Sequence, residues 1–346
     1  MISHPLVMTA LVMDVISMAL LLTGWVISLR IAMQWRPGTP DPRQIRLERQ
    51  AEVAGVFTVW GFTFLSLVTV LLTVGISYIL PGLIPGAMCG TGVLESAGGY
   101  LGKGLTIRMA SLFVLFHAVN IGRLNHRFPE APLTEPHARL TILAAPLAGL
   151  GIYDIYRGIG TINTYTSVDC CTVIYSRTGH MAGNELNALF SNPVWVGMSL
   201  AGAFFIMILC LMVHRENRPD KLWINGFLGF SSIIWPLVSL TTLLRVLCPY
   251  FYKVLHHHCP WCLLLPVHNC IGYLLYLGFL VILAEGTVPL ILRYFTKNHP
   301  REVQSAALDH SRRAARRTGW TIIFTTLFLY LPAVWWRFHY GVWITG

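Results

Sequence analysis

The chain has 346 residues, of which 55% are hydrophobic and 12% are charged, and its mean hydropathy is +0.60. This composition excludes an ordinary soluble protein. The formal net charge is +10, from 25 Lys and Arg against 15 Asp and Glu. The composition is typical of a membrane protein, so the basic excess has to be explained in that context.

Apolar segments long enough to cross a bilayer recur along the whole chain. A hydrocarbon core of ~30 Å requires about 20 helical residues. The segments lie at about 7–33, 53–80, 105–122, 140–159, 194–214, 223–247, 262–292 and 319–342. They predict an all-α polytopic membrane helix bundle of about eight transmembrane helices, forming a single integral membrane domain over 1–346. The first segment is expected to be a retained helix, because no small-residue cleavage site follows it.

The basic residues predict the orientation of these helices. Eighteen of the 25 Lys and Arg residues lie in alternate connections, within 30–49, 123–139, 215–221 and 293–317. By the positive-inside rule these connections are cytosolic, so both termini are predicted to be extracytosolic. The extracytosolic loops are then about 81–104, 160–193 and 248–261. The bias explains the net charge without nucleic acid, and the arginine pairs of 312–317 are expected to face anionic headgroups.

Seven of the eight cysteines fall at the predicted extracytosolic face. These are Cys89 in the first outer loop, Cys170 and Cys171 in the second, Cys248 at the end of the sixth segment, and Cys259, Cys262 and Cys270 around the start of the seventh. Disulfides persist in extracytosolic compartments, so structural disulfides are one interpretation. Cys210 and Cys270 lie within apolar segments and are expected to be small buried hydrophobic residues.

The motif Cys259-Pro260-Trp261-Cys262 indicates redox chemistry. Pro260 suits the first position of a helix, which would place Cys259 at the N-cap of the seventh helix. There the helix dipole would stabilise a thiolate, and the second sulfur would be close enough to close a reducible ring. A redox role is therefore favoured over a static bridge.

The stretch Cys259-Pro260-Trp261-Cys262-Leu263-Leu264-Leu265 resembles the active-site helix of vitamin K epoxide reductases. It is also similar, more distantly, to the disulfide bond formation protein B class, over about residues 256–275. The resemblance implies that Cys259 and Cys262 face a quinone, while loop cysteines carry electrons from a thioredoxin-like partner. A bacterial inner membrane is the expected location.

Further candidate residues follow from this redox hypothesis. The candidate shuttle cysteines are Cys89, Cys170, Cys171 and Cys248. Adjacent cysteines such as 170 and 171 can form only a strained ring with each other, and connectivity cannot be deduced from sequence. The candidate cofactor-binding residues are Arg245, Trp261 and His268. Arg245 could stabilise a thiolate or a quinone oxyanion, or could extend to the lipid headgroups.

Metal and haem sites are the alternatives. His256, His257 and His258 precede Cys259, and His180 shares the second outer loop with the vicinal cysteines. Thiolate and imidazole ligands suit Cu(I), zinc or mercury, so a non-enzymatic membrane subunit or soft-metal transporter remains open. A haem is disfavoured, because only His268 and His339 could lie at one membrane depth.

Polar residues within the apolar segments are costly in lipid and therefore informative. They are Asp14, His117, Asn120, Asp154, Arg157, Arg245 and Glu285. Asp154 and Arg157 are spaced i, i+3 and are expected to pair with each other. Glu285 lies near the predicted cytosolic end of the seventh segment and is expected to reach water.

Overall fold

The computed structural model describes residues 4–36, 41–165, 167–168, 191–215, 222–254 and 257–344. The candidate residues Cys170, Cys171, His180 and His256 lie outside these ranges. Within the described ranges the regular structure is helical and contains no strand. Eight of these helical segments are long and apolar enough to cross a membrane, which confirms the predicted all-α polytopic fold.

The helices are labelled in chain order. They are α1 (Pro5–Gln34), α2 (Pro42–Val74), α3 (Gly90–Ser96), α4 (Tyr100–Asn125), α5 (Thr134–Thr161), α6 (Asn192–Arg215), α7 (Leu222–Thr242), α8 (Cys248–Tyr252), α9 (Ile271–Thr296) and α10 (Arg301–Tyr340). Two candidate spans combine several elements. The second extends α2 through a π-helical turn and a 3₁₀ turn to Leu83, and the sixth runs from α7 to the end of α8.

Proline and a polar cap define where the first two helices begin. Pro5 and Pro42 occupy the first turn of α1 and α2, where the missing N–H needs no helical partner. The Asp41 carboxylate accepts the backbone N–H of Arg43 at 2.9 Å, and the His4 ring caps α1 in the same way. These caps satisfy N–H groups that the helix itself leaves unpaired.

The described chain divides into two compact units. The first comprises Met1–Pro85, Val93–Thr166 and Tyr294–Ala306, and contains α1, α2, α4 and α5. Glycines bring the backbones of α4 and α5 close together. A Cβ at Gly104 would lie 2.7 Å from the backbone nitrogen of Ile155. Small residues at such contacts are typical of membrane helix pairs.

A buried ion pair lies in this first unit. Arg108 Nη2 is 2.7 Å from Asp14 Oδ2, and both side chains are 0% exposed. The Tyr156 hydroxyl donates to the same carboxylate oxygen at 3.0 Å. Asp14 Oδ1 and Arg108 Nε and Nη1 have no hydrogen-bond partner among the described residues. The pair links α1 to α4, and α5 joins it through Tyr156.

The predicted pairing of Asp154 with Arg157 is wrong. The Asp154 carboxylate instead lies 3.4 Å from Lys103 Nζ on α4. The Arg157 guanidinium lies over the ring of Tyr100, 4.1 Å from its centre. Both side chains therefore contact the neighbouring helix α4 instead of each other.

The second unit comprises Gly86–Gly92, Ser167–Arg293 and Ala307–Gly346. Its apolar core is built from α6, α7, α9 and α10. Glu285 on α9 accepts a bidentate pair from Arg317 on α10, with N–O distances of 3.0 and 2.7 Å. Glu285 was expected to reach water, and the structure instead pairs it with Arg317. The Arg317 side chain is still 48% exposed, so its contact with headgroups stays a prediction. Part of the connection predicted at 293–317 is continuous helix, because α10 begins at Arg301.

The chain around the cysteine motif also differs from the prediction. The predicted loops 81–104 and 248–261 contain the short helices α3 and α8. The seventh membrane helix begins at Ile271 instead of near residue 262. Two 3₁₀ turns, Cys262–Leu264 and Pro266–His268, precede it. Pro266 explains this break, because a residue that precedes proline is driven out of the helical region, and Leu265 is extended.

Candidate functional site: a buried three-thiol cluster

Three cysteines of the second unit converge on one point. The sulfur atoms of Cys89, Cys259 and Cys262 all lie within 4.8 Å of one another. Cys89 Sγ and Cys259 Sγ are 3.5 Å apart, although 170 residues separate them in sequence. The three residues are 1%, 1% and 8% exposed, respectively. The structure thus brings together three of the six cysteines proposed from sequence.

Cys89 is positioned by the turn that opens α3. Gly90, the next residue, lies against the indole of Trp261, and a Cβ there would be 2.4 Å from a ring carbon. Only glycine fits such an approach without displacing the ring. The Thr91 hydroxyl lies 3.1 Å from Cys259 Sγ. The Cys89-Gly90-Thr91 turn therefore packs directly against the Cys259–Cys262 turn.

Neighbouring side chains hold the backbone of the Cys259–Cys262 turn. The Tyr252 hydroxyl, at the end of α8, donates to the carbonyl of Cys259. The Tyr276 hydroxyl, on α9, donates to the carbonyl of Pro260 at 2.6 Å. These bonds satisfy buried carbonyls that lie outside a regular helix. The two tyrosines thus fix the turn from two helices.

A π-helical segment supplies a further contact. His258 Nδ1 lies 2.6 Å from the carbonyl oxygen of Leu244, within the π-helix Leu243–Leu247. A π-helical turn interrupts the regular hydrogen-bond ladder and is frequent at functional sites. His258 is anchored by this contact immediately before the first cysteine of the motif.

The predicted N-cap position of Cys259 is wrong, because α9 begins only at Ile271. Side-chain donors take the place of a helix dipole. Hydrogen bonds from Cys262, and then from Cys89 and Thr91, lower the pKa of Cys259 well below its usual range, against the opposing effect of burial. Hydrogen bonding to Cys259 and Cys89, together with burial, raises the pKa of Cys262. Cys259 is therefore the acidic thiol, as the sequence indicated, but for a different reason.

The remaining cysteines lie outside the cluster. Cys248 is buried and shares a hydrogen bond with Tyr252, the residue that donates to the Cys259 carbonyl. It is not one of the three converging cysteines. Cys210 is buried in α6, as expected. Cys270 is exposed and has a positive φ of 54°, which contradicts the expectation of a buried residue within a helix.

The candidate cofactor-binding residues are dispersed around the site. The Arg245 guanidinium lies 5.4 Å from the centre of the Trp195 ring. His268 and His257 each pack edge-on against Tyr252, with ring centres 4.6 and 4.5 Å away. Burial is the main cause that lowers the pKa of both histidines.

The ring of His339, the second candidate haem ligand, is stacked on Trp335 at 5.0 Å. Sequence reasoning missed Gly90, Thr91, Tyr252 and Tyr276. The triplet Cys89-Gly90-Thr91 carries no spacing signal that relates it to residue 259. A contact between residues so distant in sequence depends on the folded chain.

No family model significantly matches the chain, and neither does any curated protein or solved structure. Function must therefore be inferred from the chemistry of the site. Three adjacent thiols can do two things. Two can form a disulfide while the third exchanges with it, or all three can bind one soft metal ion as thiolates.

Proposed function

We propose that this integral membrane protein is a thiol–disulfide oxidoreductase, which passes electrons between extracytosolic thiols and a membrane quinone. The observation that carries the proposal is the 3.5 Å separation of Cys89 Sγ and Cys259 Sγ beside a third thiol, Cys262. A bacterial inner membrane is the proposed location, and a thioredoxin-like protein is the proposed partner.

The three thiols support a balanced exchange. The Cys259–Cys262 dithiol gives two electrons and two protons to a quinone, so that a Cys259–Cys262 disulfide and one quinol form. The Cys89 thiolate then attacks this disulfide at Cys259, which forms a Cys89–Cys259 disulfide and releases Cys262, and Cys262 takes up the proton that Cys89 loses. A dithiol of the thioredoxin-like partner reduces the Cys89–Cys259 disulfide and is itself oxidised to a disulfide, which restores the three thiols. Burial of all three sulfurs suits a small electron acceptor such as a quinone.

Turnover of a soluble quinone tests the proposal. The purified full-length protein, in detergent with a dithiol reductant, is expected to reduce menadione, and Cys259→Ser and Cys262→Ser should lower the rate to that of the buffer. Cys210→Ser is the matched control, since this buried thiol lies outside the cluster, and it should retain the rate. Equal turnover by Cys259→Ser and the unaltered protein would overturn the proposal.

Soft-metal binding is the second candidate function, and the convergence of three sulfurs specifically favours it. Three thiolates within 4.8 Å of one another match a trigonal site for Cu(I) or a comparable soft ion. The expected result is one equivalent of copper retained after anaerobic Cu(I) loading and gel filtration. The metal-binding function would be supported over the redox function if the unaltered protein does not reduce menadione and if Cys89→Ser no longer retains the copper equivalent.

A further inference from the structure

The first unit contains a cavity of about 290 Å³ that the thiol chemistry does not use. Its walls come from the end of α1, the first half of α2, the end of α4, the turn that follows α4, and the start of α5. The turn is fixed by Asn125, which accepts the N–H of Leu133 at 2.6 Å and donates to the Thr134 hydroxyl at 3.0 Å. The cavity is therefore preformed.

The lining of this cavity is acidic. Glu48 and Glu52 face it from α2, and Glu130 faces it from the turn. No Lys or Arg is among the described lining residues, although the connections at this end of the bundle carry many arginines. Gly122 and Asn125 contribute the C-terminal end of α4, where helix carbonyls carry partial negative charge. The field inside therefore favours a cation.

The remaining lining residues suit an organic cation. The rings of Trp35 and Phe128 offer aromatic surface, which attracts ammonium and guanidinium groups. His137 lines the cavity and is 7% exposed. A neutral imidazole has one ring nitrogen that can accept a hydrogen bond, so His137 offers an acceptor for a ligand N–H.

We propose that this cavity binds a small organic cation that carries amine or guanidinium groups. The glutamates would neutralise its charge, the aromatic rings would cover its carbon atoms, and the His137 imidazole would accept a hydrogen bond. A single metal ion fits less well, since 290 Å³ approaches the size of a small-molecule site. In addition, among the described residues the ligand atoms that converge within 4.8 Å are those of the thiol cluster.

Calorimetric titration of the purified full-length protein with spermidine tests the inference, in a neutral detergent and 150 mM NaCl. Saturable binding to one site per chain is expected. The double variant Glu52→Gln/Glu130→Gln should bind about ten-fold more weakly, because two carboxylates are lost. Glu135→Gln is the matched control, since Glu135 pairs with Arg139 and does not line the cavity, and it should bind as the unaltered protein does.

The glutamates to be replaced are exposed, so the variants are expected to fold, and size-exclusion chromatography checks this. Unchanged spermidine affinity in the double variant would overturn the inference, because the polyamine would then bind elsewhere. Absence of saturable binding of spermidine and of agmatine to the unaltered protein would overturn it as well. Stoichiometric Zn²⁺ binding that requires Glu52 and Glu130, without polyamine binding, would replace it with a metal site. None of these outcomes depends on the cysteines.

Discussion

At the scale of single residues, Cys259 is an acidic thiol because three side chains hydrogen bond to its sulfur. Hydrogen bonds from Cys262, Cys89 and Thr91 lower its pKa below that of an ordinary thiol. An acidic group with a lowered pKa ionises at a lower pH. The Cys259 thiolate is thus expected to persist to lower pH than a free thiolate does.

Alkylation kinetics should show this acidity. In the reduced protein, the rate at which iodoacetamide modifies Cys259 should rise less steeply between pH 5 and 8 than that of a free thiol, and should level off at a lower pH. For a free thiol near pKa 8.5, such as glutathione, the rate should rise about ten-fold per pH unit over this range. Peptide mass spectrometry follows each cysteine separately. A Cys259 profile that parallels glutathione would contradict the assignment.

Thr91 allows the cause to be tested. Thr91→Val removes one donor to the Cys259 sulfur, so the alkylation profile should shift to higher pH. Thr106→Val is the control, because the Thr106 hydroxyl is exposed and donates within its own helix to Gly102. If both variants leave the profile unchanged, the hydroxyl has no part in stabilising the thiolate.

Gly90 should be intolerant of a side chain for a steric reason. A methyl group there would lie 2.4 Å from the Trp261 ring, so Gly90→Ala should displace that ring and cost about 1–3 kcal/mol. Quinone turnover should fall with it, since Trp261 lies between Cys259 and Cys262 in the turn. Gly82→Ala, where no atom lies within 4 Å of the added carbon, should leave the melting temperature and turnover unchanged. Equal effects of the two changes would show that the close approach is unimportant.

The sequence predicted the three cysteines of the cluster as site residues but not their arrangement. The Cys259–Cys262 spacing indicated a reactive pair, and Cys89 was a candidate on the basis of its side of the membrane. Its direct contact with Cys259 was not predictable, because the contact joins turns 170 residues apart. The tyrosines that hold the turn carry no motif and emerge only from packing.

At the scale of helices, the buried pair of Asp14 and Arg108 joins α1 to α4. Replacing one partner leaves the other charge buried and unpaired, which typically costs about 3–5 kcal/mol. Asp14→Asn should therefore lower the free energy of unfolding by about that amount, measured by denaturant titration in detergent. Asp154→Asn is the matched control, since Lys103 is 66% exposed and such pairs contribute about 0–1 kcal/mol. Comparable losses in the two variants would contradict a dominant role for the buried pair.

Local signals predicted some element boundaries and missed others. The first two apolar segments were predicted to begin near residues 7 and 53, whereas α1 and α2 begin at Pro5 and Pro42, so the proline signals were overlooked. The start of α9 was misplaced because Pro260 was read as its first residue, whereas Pro266 breaks the chain again. Arg108 was not recognised as buried, since a lone arginine near a helix start is commonly a surface residue.

At the scale of the whole molecule, the orientation follows from the arginine bias and is still a prediction. Cys270 is exposed and lies on the predicted extracytosolic side, whereas Cys210 is buried on the predicted cytosolic side. In intact cells, an impermeant maleimide should label a variant that retains only Cys270. A variant that retains only Cys210 should stay unlabelled. Labelling of Cys270 only after permeabilisation would reverse the orientation and place the thiol cluster on the cytosolic side.

The number of thiols lost for each quinone consumed tests the proposed oxidoreductase most directly. The reduced protein is mixed anaerobically with one equivalent of menadione, quinol is measured by absorbance, and the remaining thiols are alkylated and mapped by mass spectrometry. We predict one quinol formed for two thiols lost, both from among Cys89, Cys259 and Cys262, with Cys210 still alkylated. Full alkylation of these three cysteines, with the menadione unconsumed, would contradict a redox function for this site.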